Sequence, residues 1–129
     1  MEPNPLRSEV AVVIGGKSYA MRPSYSAIVK IEKALNTRLI KLMERLQFSD
    51  IGVEDVATII TCFINANPEN PGKVTVEQIG DKIIEEGFIN FLSPLAEVFG
   101  YIVKASPKNK SEEQSGKVGT NPQSSGAAS

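Results

Sequence analysis

Apolar residues alternate from Val10 to Ile14, with Val10, Val12 and Ile14 on one side of an extended chain and Ala11 and Val13 on the other. After Gly15-Gly16-Lys17-Ser18 the same period resumes at Tyr19 and Met21, and Pro23, which has no N–H to donate, ends it. Two alternating runs around a Gly-Gly pair predict a β-hairpin, because the tight turns that suit twisted strands need positive φ at their central positions. Gly15 and Gly16 are the expected hairpin turn.

Beyond Pro23 the period lengthens to that of helices. Ser24 is placed to cap a helix in which Ile28, Ile31 and Leu35 share a face, with Tyr25 and Glu32 to one side. Asn36 or Thr37 ends that helix and can cap the next, where Leu39, Leu42, Met43 and Leu46 make an amphipathic stripe. Phe48–Gly52 reads as a turn into a third helix. There Val53, Val56, Ala57, Ile60 and Ile64 form one stripe, and Ile59 and Phe63 widen it, which predicts a central, mostly buried helix. Asn65–Lys73, with two prolines and a glycine, is a loop. Thr75-Val76-Glu77-Gln78 is a capping box opening a fourth helix, with Val76, Ile79 and Ile83 inward and Gly87 as its left-handed C-cap. In the last helical stretch, Phe88–Lys104, Ser93-Pro94 either kinks one helix or starts a second with Ser93 as cap. The expected fold class is α+β, mainly α: an N-terminal β-hairpin followed by four to five helices. Residues 1–8 form an N-terminal arm and residues 9–105 the domain. Residues 106–129 are expected to be a disordered tail, because Ser, Gly, Asn, Gln, Lys and Glu around an isolated Val118 cannot bury enough apolar surface to offset ordering.

Composition removes several function classes. The 129 residues contain no histidine and one cysteine, so a histidine general base, a Ser-His pair and a Cys/His zinc site are all excluded. Cys62 stands among apolar neighbours and reads as a small buried hydrophobe. With 14 basic against 15 acidic residues, the net charge of -1 points to no nucleic-acid partner. No apolar run approaches the roughly 20 residues that span a bilayer, and the first residues do not read as a secretory signal. The reading is a non-enzymatic cytoplasmic protein with no catalytic residue, metal or cofactor.

Gly15-Gly16-Lys17-Ser18 has the close of a phosphate loop, but the earlier glycine of GxxxxGK[ST] is missing and a strand follows where a helix is needed. What remains are surfaces. Arg38, Lys41 and Arg45 make a basic stripe, and Glu77, Asp81 and Glu85 an acidic one. The third and last helices are apolar over more than one face, which serves either the core or a partner's hydrophobic segment. Candidate partner contacts are the hairpin, through its edges with Tyr19 and Met21, the basic stripe, and Phe88, Phe91, Leu95 and Phe99 of the last helical stretch.

Several stretches taken together resemble the gene-transfer-agent type of phage tail-assembly protein. That family opens with N-P-x-R-G-E, continues through a hairpin to R-P-[TS]-[FY], and enters a helix with an acidic residue. Asn4, Pro5, Arg7, Glu9, Arg22, Pro23, Ser24, Tyr25 and Glu32 match it, and DVATIITCFINA, VTVEQIGDKIIEEGF and SPLAEVFGYIV follow in the family's order of helices. Ser8 stands where the pattern has glycine. The likeness covers about Asn4–Val103. It implies a role in tail morphogenesis in the host cytoplasm, with the family labelled both as tail tube protein and as tail-assembly chaperone. A tube subunit is expected to be richer in strands, so the chaperone reading is preferred: a protein that binds the helical tape-measure protein while tube subunits polymerise. The alternative is a tube or tube-adaptor component retained in the particle. The major tail tube protein and a second copy of the chain are further candidate partners.

Overall fold

The structure, a computed structural model, describes residues 8–104; the arm up to residue 7 and the expected tail lie outside the described residues. Strands β1 (Val10–Ile14) and β2 (Lys17–Met21) pair antiparallel, with Val12 opposite Tyr19 and Ala11 opposite Ala20. Five α-helices follow: α1 (Tyr25–Leu35), α2 (Leu39–Gln47), α3 (Val53–Asn65), α4 (Val76–Glu86) and α5 (Leu92–Lys104). The fold is α+β, mainly α.

Gly15 and Gly16 have φ of 59° and 79°, the two positive values of a tight hairpin turn. Ser8, just before β1, has φ of 59°. This left-handed conformation suits glycine better than any residue with a Cβ, which gives a physical reason for the glycine at this place in the family pattern.

α3 is the central element. Val56, Ala57, Ile59, Ile60, Phe63 and Ile64 are all essentially inaccessible, and α1, α4 and β2 pack around it. Val10, Val12, Ile14, Tyr19 and Met21 form the inner face of the hairpin and close the core from the other side. Each such buried Ile, Val, Met or Phe contributes about 1.5–3 kcal/mol. Thr61, on the buried side of α3, is an exception: among the described residues its Oγ1 has no hydrogen-bond partner. Thr61→Val keeps the shape and removes the unsatisfied hydroxyl, so urea unfolding should show a gain of about 1 kcal/mol. A loss of stability would show that the hydroxyl is satisfied.

The helix ends follow the sequence in part. Ser24 Oγ accepts from Ala27 N–H, and Thr75 and Gln78 make the reciprocal capping box. Asn36 ends α1 in the left-handed conformation. Neither it nor Thr37 caps α2. Arg38 occupies that position without a side-chain bond, and the carboxylate of Glu32, reaching over from α1, accepts from Leu39 N–H at 2.9 Å. A negative charge is favourable at a helix N-terminus, so the acidic residue of α1 serves its neighbour.

Three expectations need correction. Val76 points outward, because it is the first residue of α4, where the stripe that buries Ile79 and Ile83 runs out. Gly87 has positive φ (102°) but an extended ψ of 116°, so it turns the chain without a left-handed helical cap. Ser93 caps nothing. A 3-10 turn over Phe88–Phe91 leads directly into α5, and Pro94 lies in the first turn of α5, where a missing N–H costs no hydrogen bond and produces no kink.

Candidate partner-binding site

α2 and α5 pack side by side and leave a groove between their outer shoulders. α2 lines it with Ile40, Met43, Glu44, Leu46 and Gln47, and α5 with Ala96, Phe99, Gly100, Val103 and Lys104. Ile40, Met43, Glu44 and Gln47, and likewise Ala96, Phe99, Gly100 and Val103, follow the i, i+3, i+4, i+7 pattern, so each helix contributes a stripe about two turns long. The groove encloses about 470 Å³, and its walls are predominantly apolar. Ile40 and Val103 are each 59% exposed, whereas the Phe99 ring is buried and forms the floor. Ala96 and Gly100 keep the α5 shoulder low. A Cβ added at Gly100 would meet nothing within 4 Å, so the groove is open there to receive a side chain.

Of the candidate partner contacts read from the sequence, only Phe99 lines this groove. Arg38, Lys41 and Arg45 are exposed on α2, with Lys41 3.7 Å from Glu44 and Arg45 3.9 Å from Asp55. Such exposed pairs contribute little to stability. Tyr19, Met21, Phe91 and Leu95 lie in the core, where a partner does not reach them. The alternation that made Tyr19 and Met21 prominent is the alternation that turns them toward the helices. Phe88 is half-buried against the core. Sequence reading missed Ile40 and Val103, because Glu44 and Gln47 interrupt the second α2 stripe and Ala96 and Gly100 carry no hydrophobic signal on α5.

The Gly-Gly turn is committed elsewhere. Gly15 N–H donates to Glu86 Oε2 at 2.7 Å, and the Lys82 stem lies 3.3 Å from where a Gly15 Cβ would stand. An anion therefore does sit at these glycines, and it is the chain's own carboxylate, docking the hairpin tip on α4. At the other end of the hairpin, Glu9 is fully buried and accepts from Arg22 Nε at 3.0 Å, with Nη2 at 2.9 Å. Arg22 N–H in turn donates to Phe63 O of α3.

On the side edge of β2, Ala20 is capped by two asparagines from the loop after α3. Asn70 Oδ1 accepts from Ala20 N–H at 2.8 Å, and its Nδ2 donates to Ala20 O and Ile64 O, each at 2.9 Å. Asn67 Nδ2 donates to the same Ala20 carbonyl at 3.2 Å. Burial pushes the Cys62 thiol up, which Lys30 offsets only in part, so little reactive thiolate is present at neutral pH. Among the described residues no group of His, Cys, Asp or Glu is arranged to hold a metal, and no helix is long and apolar enough to cross a membrane.

A family model described as phage tail tube protein, GTA-gp10, matches residues 7–105. The chain belongs to this family. Its members of the GTA-gp10 type are phage tail proteins, and the match spans the hairpin and all five helices described above. Glu9 and Arg22, the buried pair at the base of the hairpin, fall within it, while Asn4 and Pro5 lie outside. No curated protein and no solved structure matches this GTA-gp10 chain.

Proposed function

We propose that this tail protein acts as a tail-assembly chaperone, holding an apolar helical segment of the tape-measure protein in the host cytoplasm while the tail is built. The observation that carries the reading is the open groove between α2 and α5. Two parallel stripes at helical spacing, with Ile40 and Val103 exposed and Gly100 leaving room, form a seat for a third helix. An unassembled tape-measure helix needs its apolar face covered, and a shallow reversible groove does that without chemistry. The charged side chains on the outer face of α2 keep the loaded complex soluble.

The second reading is a structural one, a tube or tube-adaptor subunit retained in the particle, and the family's own description favours it. Two measurements separate them. Co-expression with the tape-measure protein should raise the soluble yield of the latter, and Gly100→Met, which fills the groove without disturbing the core, should abolish the gain. Mass spectrometry of purified particles should find the protein absent or far below stoichiometric. Its presence at a fixed ratio to the tube protein would sink the chaperone reading.

A further inference from the structure

Between α1 and α3 lies a second cavity, of about 210 Å³, which shares no lining residue with the groove. Its polar lining is Ser26 and Lys30 of α1, Thr61, Cys62 and Asn65 of α3, and Lys73 of the following loop; two alanines complete it. The loop that carries Lys73 is tied to α3. The Asn65 side chain donates to Val74 O at 2.8 Å and accepts from Val74 N–H at 2.9 Å, and the Lys73 ammonium donates to Asn65 O at 3.4 Å. Thr61 is buried at the floor, whereas Ser26, Lys30 and Lys73 are exposed at the rim.

No carboxylate lines this cavity. Among the described residues neither Lys30 nor Lys73 is in an ion pair, so both ammonium groups are available to an outside anion. The N-terminal turn of α1, which contributes Ser26, carries no acidic residue, and the positive end of its dipole adds to the two lysines. The C-terminal end of α3 has the opposite sign, and there Lys73 sits on the Asn65 carbonyl. Thr61 separates a built site from an ordinary basic surface. Its hydroxyl has no hydrogen-bond partner among the described residues, although valine would fill the same space without that loss. Helical threonine has two χ1 rotamers open to it, so a turn about this bond brings the hydroxyl to the cavity.

We propose that this cavity binds a phosphate group, free or carried as an ester. Lys30 and Lys73 match the two negative charges of a phosphate dianion, and the hydroxyls of Thr61 and Ser26 supply further donors to its oxygens. A carboxylate, planar and singly charged, leaves one ammonium group unmatched. At roughly 30 Å³ per water the cavity holds more than a bare anion, so it admits the first atoms of an ester as well. Binding gives the Thr61 hydroxyl the partner it lacks within the chain.

Titration of the full chain with inorganic phosphate, and separately with O-phosphoserine, at constant ionic strength should shift the amide resonances of Ser26, Lys30 and Thr61 saturably in the millimolar range. The tighter of the two ligands names the form the cavity is shaped for. Lys30→Gln and Lys73→Gln should each weaken binding about tenfold. Thr61→Val is the decisive variant. It should weaken binding severalfold in a chain that is no less stable, which loss of a merely structural hydroxyl would not do. Gly100→Met, in the groove, should leave binding as it is. The proposal is overturned by the absence of a saturable shift with either ligand, by shifts that chloride reproduces at equal ionic strength, or by an affinity indifferent to Lys30→Gln or Thr61→Val.

Discussion

Arg22→Leu should cost about 3 kcal/mol of folding stability, read as a fall in the urea midpoint at unchanged slope. The Glu9 carboxylate is fully buried, and Arg22 pairs with it, at 2.9 Å from Nη2 and 3.0 Å from Nε. Deleting the guanidinium takes a charged partner from a carboxylate in a place water does not reach, and that penalty, more than any attraction in the pair, sets the size of the effect. The lower end of the usual range applies because Arg22 keeps 22% of its side chain in solvent. Adding Glu9→Gln to Arg22→Leu removes the buried charge and should restore more than half of the loss. A single variant within about 1 kcal/mol of the parent would mean that Glu9 is compensated by other groups.

Asn70→Asp should be at least as damaging, about 3 kcal/mol or more at neutral pH. The amide nitrogen that donates to Ala20 O and Ile64 O becomes an oxygen facing those two carbonyls, and a charge is buried with it. Burial among acceptors raises the pKa of the introduced carboxyl in the folded state. Its proton is then bound more tightly in the folded than in the unfolded chain, so the deficit grows as pH rises above the unfolded value of about 4 and shrinks as pH falls toward it. Thermal melts of parent and variant between pH 7 and pH 4 read the trend directly. A deficit independent of pH would place the side chain in contact with solvent.

These two sites also mark where the sequence was readable. The alternation around Gly15-Gly16, the wide apolar face of α3 and the Thr75–Gln78 box are local signals whose period or spacing is the structure, and the hairpin, central helix and fourth helix follow from them. Asn70 carries no such signal. In a loop with two prolines and a glycine it reads as a turn former, and only the approach of Ala20 across the fold makes it a substitute for a neighbouring strand. Glu32 is similar: an acidic residue on the flank of α1 becomes a cap once α2 is laid against it. The groove was hidden for a different reason. Its opening depends on the smallness of Ala96 and Gly100, and a pattern of hydrophobicity records what fills space, not what leaves it open.

The hairpin's fasteners have an implication for the order of events as the chain leaves the ribosome. Ala20 is held by a residue 50 positions further along, and Gly15 by one 71 positions along. A two-stranded ribbon alone is marginal in water, and contacts between distant parts of a sequence close slowly. The strands are thus synthesised well before the residues that secure them, and wait for α4 to emerge. Through that interval both edges of the ribbon are available to any neighbouring nascent chain, and the same molecule made on closely spaced ribosomes meets its own copies at their most receptive.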